Sequence, residues 1–260
     1  MFDVDRYLER IGCAGEKGVD LATLRLLHKN HLMAIPYNGA TQDFADGGPH
    51  LVDLDEDATF EASIAEGRGG TCFQLNRLFH RLLGELGYDV TLLAASTAEG
   101  WEASGIEVEH MFCKVSLDGR DWLVDVGYPG PSYVEPLLVS DAVQSQYGSQ
   151  FRLVDRGSRT ALQRRGRITR WNVVYTFTTT PREWSDWKDM EDFLVREIAA
   201  DTGPQDGTKI LCGRTLDDGQ VVLKGRRHLT VRDGREEVRT VTDDAEHERL
   251  VADLLTGAPR

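Results

Sequence analysis

Apolar residues recur at helical spacing along the first third of the chain. After Phe73 they fall at Leu75, Leu78, Leu82 and Leu86, which places them on one face of a helix. The same periodicity predicts three earlier helices, at residues 4–11, 21–33 and 59–66. Residues 1–87 are therefore expected to be mainly helical.

The pattern changes to strands after residue 88. Alternating or short apolar runs predict strands at residues 90–95, 106–117, 122–128, 150–154, 160–167 and 171–178. A helix is predicted at 188–200, followed by two hairpins with turns at Asp218-Gly219 and Asp233-Gly234 and a last helix at 245–255. This order of elements predicts an α+β fold.

A cysteine lies at the start of the fourth predicted helix. Gly69 and Gly70 precede the helix and do not extend it comfortably, and Gly87 is placed to cap its C-terminal end. Cys72 therefore falls in or next to the first turn, where free backbone N–H groups and the positive end of the helix dipole favour a thiolate. We interpret Cys72 as a candidate nucleophile.

A histidine and an aspartate lie on one predicted hairpin. Asp118-Gly119 is a two-residue turn signal, and a register that pairs Leu117 with Arg120 puts His110 and Asp125 at diagonal positions on one face. Such neighbours are about 7–8 Å apart at the backbone, within reach of their side chains. Cys113 would point to the other face. A slip of one residue would break this arrangement.

Each of these residues also has an ordinary structural interpretation. A lone cysteine is more often a small buried hydrophobic residue, and an aspartate beside a glycine usually belongs to a turn. The combination is more informative than its parts, because a nucleophile, a base and a group that orients the base are what nucleophilic catalysis requires.

At these residues the chain resembles the arylamine N-acetyltransferase family. The matching segments are Arg-Gly-Gly-Thr-Cys-Phe at 68–73, His110, and Val-Asp-Val-Gly at 124–127, and the resemblance extends in order along nearly the whole chain. It implies a Cys72–His110–Asp125 triad that takes an acyl group from a thioester, usually acetyl-CoA, and passes it to an aromatic amine or hydrazine. Acetyl-CoA or another acyl thioester would act as co-substrate, with no metal and no bound cofactor.

The resemblance also implies an architecture. It divides the chain into a helical bundle at 1–87 that carries Cys72, a β-barrel at 88–182 that carries His110 and Asp125, and a C-terminal α/β lid at 183–260. The core would be similar to that of cysteine proteases. The residues expected to bind substrate are Arg68, Phe73, Tyr37, Asn38, Tyr128 and Gly130.

Two segments depart from the family pattern. Residues 35–39 read Ile-Pro-Tyr-Asn-Gly where the family usually has Ile-Pro-Phe-Glu-Asn, so a carboxylate is missing. Residues 127–130 read Gly-Tyr-Pro-Gly where the family has Gly-Phe-Gly-Gly, and Pro129 removes one backbone N–H beside the catalytic pocket.

The missing carboxylate leaves the partner of Arg68 open. One interpretation is that Arg68 is half exposed, or satisfied by backbone carbonyls or another acid. The other is that Arg68 pairs with a carboxylate of the amine acceptor, since arginine binds carboxylates with two parallel hydrogen bonds.

The charge, the apolar runs and the cysteines limit the classes of partner and the compartment that we expect. A net charge of −13 argues against nucleic acid, whose binding depends on cationic contacts with phosphate. No run approaches the roughly 20 apolar residues that a membrane span needs, so no membrane partner is expected. The four cysteines show no metal-type pairing, which favours a reduced, cytoplasmic enzyme.

Basic residues are concentrated in two regions, 156–170 and 224–228. The ordinary interpretation is two solvated hairpin faces. The functional one is that some of these residues meet the phosphates of CoA or of a phosphopantetheine arm.

Three functions remain open. The chain could transfer the acyl group of acetyl-CoA or another acyl-CoA to a small arylamine. It could be an amide synthase that takes an acyl chain from a polyketide or acyl carrier protein. The third possibility is a non-catalytic or hydrolytic relative that keeps the triad as scaffold.

Overall fold

The computed structural model describes residues 1–39, 50–97, 107–200 and 210–256 of the chain. Its helices are α1 (Val4–Arg10), α2 (Leu21–Ala34), α3 (Glu56–Thr59), α4 (Cys72–Leu86), α5 (Lys188–Ala200) and α6 (Asp244–Thr256). Its first strands are β1 (Tyr37–Asn38), β2 (Asp89–Thr97), β3 (His110–Leu117), β4 (Arg120–Val124), β5 (Leu137–Leu138) and β6 (Gln144–Gln146). The remaining strands are β7 (Ser149–Asp155), β8 (Thr160–Arg165), β9 (Asn172–Phe177), β10 (Leu211–Leu216), β11 (Gly219–Lys224), β12 (Arg227–Arg232) and β13 (Arg235–Thr240).

The predicted α+β fold is confirmed. Helices α1 to α4 were expected, although the third predicted helix begins earlier, as α3, and continues in a π-helical segment, Phe60–Ala65. Strands β1, β5 and β6 were not predicted, because two or three residues carry too little periodicity. Residue 106, the predicted start of β3, lies outside the described residues, and the prediction of strand at residues 107–109 is wrong because β3 begins at His110. No helix in the described segments combines the length and the apolar character that crossing a membrane requires.

Eight strands form a nearly closed antiparallel barrel, in the order β5-β4-β3-β2-β9-β8-β7-β6. Buried aromatic side chains fill its interior, among them Phe112, Phe151, Tyr175 and Phe177. The outer face of β2, β3 and β4 packs on the helices, and α4 lies between these strands and the rest of the helical segment. The barrel therefore gives α4 a fixed surface to lie on.

Side chains bridge the two edge strands of the barrel. Gln144 accepts from the Leu138 N–H at 2.9 Å and donates to the Leu138 carbonyl at 2.8 Å. Gln146 accepts from the N–H groups of Val134 and Glu135 at 2.9 and 3.0 Å and donates to the Glu135 carbonyl at 2.9 Å. These amides substitute for strand pairing between β6 and the segment that leads into β5.

The β3–β4 hairpin has the predicted register. Leu117 pairs with Arg120 across the Asp118-Gly119 turn, and the ladder runs to Cys113 opposite Val124. The strand predicted at 122–128 is wrong beyond Val124, where β4 ends. The cause lies in the site described below, where side chains take the backbone hydrogen bonds that a strand would need.

A second, five-stranded antiparallel sheet runs β1-β10-β11-β12-β13. Its edge strand β1 comes from the N-terminal part of the chain and pairs Asn38 with Cys212 of β10. The β12–β13 turn lies at Asp233-Gly234 as predicted. The β10–β11 turn lies one residue earlier than predicted, because Leu216 pairs with Gly219. The division at residues 87 and 182 stays a prediction.

We expect Gln146→Ala to lower the free energy of unfolding by about 1–3 kcal/mol, because it leaves partly buried backbone groups at the barrel seam without partners. Chemical denaturation measures this loss. Ser145→Ala, on an exposed neighbour in the same strand, serves as the control and should change stability by no more than about 0.5 kcal/mol. Equal stability of the two variants would show that the Gln146 bridge is dispensable.

Candidate active site

A buried ion pair connects β3 to the residue that follows β4. His110 Nε2 lies 2.8 Å from Asp125 Oδ2, and both side chains are fully buried. Burial alone would raise the pKa of Asp125, but the charge of His110 and the hydrogen bonds from His110, Asn76 and the Gly127 N–H hold it below its usual value. Asp125 is therefore a carboxylate at neutral pH.

The same pair keeps His110 protonated. Burial would lower the pKa of His110, but the charge and hydrogen bond of Asp125, followed by the hydrogen bond and charge of Cys72, raise it to about 10. Because Nε2 faces Asp125, Nδ1 is the nitrogen left for Cys72. The site can therefore hold an imidazolium between the Asp125 carboxylate and the Cys72 sulfur.

Cys72 occupies the first position of α4, as the glycines before it predict. The helix start is fixed by Gln74, whose side-chain oxygen accepts from the Thr71 N–H at 2.9 Å. The Thr-x-x-Gln spacing of a capping box was present in the sequence and explains its role.

Gly127 lies directly against the cysteine. A Cβ at Gly127 would be 2.6 Å from the Cys72 Cα and 2.7 Å from the Asn76 Nδ2, distances that no side chain tolerates. The absence of a side chain thus lets the segment after β4 approach α4 closely enough for Asp125 and His110 to face Cys72. Cys113 points elsewhere, with its Sγ 3.9 Å from the Asn76 carbonyl.

Sequence reasoning missed Asn76. It lies fully buried one turn after Cys72 on α4. Its Nδ2 donates to the Met111 carbonyl at 2.7 Å and to Asp125 Oδ1 at 3.0 Å, while its Oδ1 accepts from the Val126 N–H at 2.9 Å. One amide therefore ties the cysteine helix to β3 and to the segment after β4, and it takes a backbone hydrogen bond that would continue β4.

His28 on α2 forms a hydrogen bond with the segment that follows β4. Its Nε2 accepts from the Asp125 N–H at 3.0 Å, and its Nδ1 donates to the Val134 carbonyl at 2.8 Å. Burial lowers the pKa of His28, which agrees with a neutral ring that donates at one nitrogen and accepts at the other. His28 thus differs from His110 in charge although both are buried.

A cavity of about 670 Å³ opens beside Cys72 and His110. Six of the nine sequence-predicted residues line it: Tyr37, Cys72, Phe73, His110, Tyr128 and Gly130. Met190 and Leu194 of α5 form part of another wall. Glu109, which sequence reasoning did not single out, also lines it, and its carboxylate accepts from the Thr97 N–H at 2.7 Å.

The turn that contains Pro129 forms one side of this cavity. The Tyr128 hydroxyl donates to the Val174 carbonyl at 3.1 Å, and its ring meets the edge of His110 at 5.5 Å between ring centres. Pro129 and Gly130 follow as lining residues. The departure from the family pattern therefore lies on the wall beside the reactive groups.

Arg68 and Asn38 do not line the cavity. Arg68 is 57% exposed and pairs with Glu66 at 2.6 Å, so the idea that it is free to bind an acceptor carboxylate loses its geometric basis. Asn38 is buried and donates from its side chain to the Arg68 carbonyl at 2.9 Å. It supports the loop before Cys72 rather than a substrate.

A family model described as N-acetyltransferase matches residues 20–255. Proansamycin X synthase of Amycolatopsis mediterranei (strain S699) is 63% identical over 257 residues, covering 99% of this chain and 98% of that protein. The arylamine N-acetyltransferase of Mycolicibacterium smegmatis is 32% identical over 248 residues, with 90% and 84% coverage. The Mycobacterium marinum arylamine N-acetyltransferase in complex with CoA superposes with a TM-score of 0.79 at 28% identity, over 96% of this chain and 91% of that one.

We expect Asp125→Asn to lower the pKa of His110 strongly, because a neutral amide no longer balances the imidazolium charge. NMR titration of the imidazole protons measures this. His110 should stay protonated up to about pH 10 in the wild type and titrate far lower in the variant. His228, whose pKa is lowered by burial and by Arg239 and is not influenced by Asp125, is the internal control.

The raised pKa of His110 also makes the free energy of unfolding depend on pH. The pKa of His110 in the folded protein lies above the ordinary value of 6.5. The protonated histidine therefore contributes fully to the free energy of unfolding below about pH 6.5, and this contribution is lost as the pH rises through about 10. A wild-type His110 that titrates near pH 6.5 would contradict this description of the site.

Proposed function

Because the chain belongs to the arylamine N-acetyltransferase family, we propose that it is an acyltransferase in which Cys72 carries the acyl group from a thioester to an amine. The observation that carries this proposal is the His110–Asp125 ion pair next to a cysteine at a helix start, inside one cavity. A buried ion pair is costly to maintain, and a purely structural role would be served better by apolar packing.

The first half of the reaction loads the enzyme. The Cys72 thiolate attacks the thioester carbonyl, and the tetrahedral intermediate collapses as the donor sulfur leaves and takes a proton from His110. Backbone N–H groups in the first turn of α4 have no helical partners and can stabilise the oxyanion. The products are an acyl-Cys72 thioester and a free donor thiol.

The second half unloads it. An amine attacks the acyl-Cys72 carbonyl, and the now neutral His110 accepts the proton that the amine loses. Cys72 leaves as a thiolate beside the restored imidazolium, so no net proton is gained or lost by the enzyme. Asp125 holds the ring in the tautomer that presents Nδ1 to sulfur and substrate throughout.

The amide synthase alternative is favoured over acetylation of a small arylamine. The chain is 63% identical to proansamycin X synthase along nearly all of both proteins, whereas it is 28–32% identical to the arylamine N-acetyltransferases named for human, chicken and mycobacterial sources. A cavity of about 670 Å³ lies in the range that holds ligands of drug size. We therefore propose an acyl donor larger than an acetyl thioester, delivered on a phosphopantetheine arm, and an amine acceptor.

Intact-mass spectrometry identifies the donor. We expect incubation with longer acyl thioesters, on CoA, on N-acetylcysteamine or on a carrier protein, to add one acyl mass, and acetyl-CoA to load more slowly. Cys72→Ser should prevent stable loading and serves as the control. Faster loading by acetyl-CoA than by any longer acyl group would return the assignment to a simple acetyltransferase. Hydrolysis without transfer to any amine would indicate a hydrolytic relative.

Cys72 should also be the cysteine that iodoacetamide labels first. Burial raises the pKa of Cys13, of Cys113 and, to about 12, of Cys212, so these three stay thiols and are shielded. Cys72 lines the cavity and contacts a protonated histidine. Peptide mapping after brief labelling checks this, and predominant modification of any other cysteine in the folded protein would defeat the assignment.

A further inference from the structure

The exposed members of the cavity lining show where the cavity opens. Among the lining residues that the structure describes, Asn172, Lys224 and Arg227 are exposed. Asn172 pairs with Arg164 at the end of the β8–β9 hairpin, and Lys224 pairs with Arg227 at the end of the β11–β12 hairpin. The mouth therefore lies between two hairpin ends, and both carry cationic side chains.

The loop that joins β8 and β9 extends this charge onto the outer surface. Residues 164–172 contain four arginines and no acidic residue, in a chain whose net charge is −13. Arg167 is paired with Asp233 at 2.5 Å, and Arg164 with Glu236 at 2.5 Å. Within the described part of the chain, Arg165 and Arg170 have no acidic partner within ion-pair distance. The positive charge is thus only partly neutralised.

Two arginines on this surface are held in place by an aromatic ring. Arg152 of β7 and Arg165 of β8 lie over the ring of Trp171, with guanidinium carbons 4.3 and 4.7 Å from its centre. Their remaining hydrogen bonds go to Gln163 and Gln150, which are neutral. Stacking orders the side chains without cancelling their charge, as a surface that binds an anionic partner requires.

An apolar side chain projects from the middle of the same loop. Ile168 is 88% exposed, between Arg167 and Arg170. We name the set Arg152, Arg165, Ile168, Arg170 and Trp171 the mouth-side basic surface. A solvated hairpin end accounts for the charges alone, but not for two stacked arginines and an exposed isoleucine on the hairpin whose end, at Arg164 and Asn172, borders the cavity.

We propose that the mouth-side basic surface docks an acidic acyl carrier domain, which inserts its phosphopantetheine thioester through the adjacent mouth toward Cys72. This rests on the proposed function, because it presumes that Cys72 accepts a carrier-linked acyl group. The charge of the surface selects an anionic partner, and only a macromolecular anion is large enough to contact the outer loop while its arm occupies the cavity. CoA, which also carries phosphates, would be confined to the cavity and its mouth.

The test compares donors that share one acyl group. Butyryl groups are presented on an acidic holo acyl carrier protein, on CoA and on N-acetylcysteamine, and acylation of Cys72 is followed by rapid quench and mass spectrometry. The double variant Arg152→Glu/Arg170→Glu reverses charge outside the cavity. Arg156→Glu, an exposed arginine in the hairpin turn at the other end of β7 and β8, is the matched control.

We expect the double variant to lower kcat/KM for the carrier donor by about tenfold or more, and the wild-type value to fall as salt is added. The N-acetylcysteamine donor should be unaffected, and Arg156→Glu should match the wild type with every donor. An unchanged carrier rate, or an equal loss with N-acetylcysteamine, would overturn the proposal. An equal loss with CoA would assign the surface to free phosphates instead.

A binding measurement separates this proposal from the proposed function. Fluorescence anisotropy of a labelled, unacylated holo carrier protein reports docking without chemistry. Salt-sensitive binding that the double variant weakens about tenfold supports the docking surface even if no donor acylates Cys72, an outcome that would remove the proposed function. Binding that is equal in wild type, double variant and Arg156→Glu overturns it.

Discussion

The buried carboxylate of Asp125 needs a positive charge and hydrogen-bond donors close to it. The way α4 packs against the barrel depends on the residues that provide them. An isolated charge at this depth would cost several kcal/mol. The imidazolium of His110 balances the charge, and Asn76 and the Gly127 N–H donate to the carboxylate oxygens. Since Asn76 belongs to α4 and His110 to β3, satisfying this one carboxylate holds the cysteine helix against the hairpin. The position of Cys72 then follows from the helix geometry.

Local signals in the sequence predicted the elements that bring these groups together. Gly69 and Gly70 marked the start of α4, and Asp118-Gly119 fixed the hairpin register from which the diagonal placement of His110 and Asp125 followed. These features are short-range, and a turn type or a helix cap is specified by adjacent residues. The proximity of His110 to Asp125 was therefore accessible from local signals, whereas the contact of α4 with the hairpin was not, because it joins residues far apart in the chain.

The features that the sequence did not predict depend on contacts between residues far apart in the chain. The end of β4 at Val124 is set by Asn76 and His28, which lie about fifty and one hundred positions earlier in the chain. Strand β1 exists because β10 pairs with it, and neither its length nor its composition signals a strand. Arg68 could have faced the cavity or the solvent, and only the position of Glu66 in the folded loop decides between them.

The contact between Gly127 and Cys72 restricts how this site can evolve. The Gly127 main chain lies against the Cys72 main chain and the Asn76 side chain at that point, so any side chain added at residue 127 would displace both. The outer walls are different, because Met190, Leu194 and Leu229 are ordinary side chains on a helix and a strand. Substitutions at these three positions can therefore reshape the cavity without moving the two backbones that meet beside Cys72.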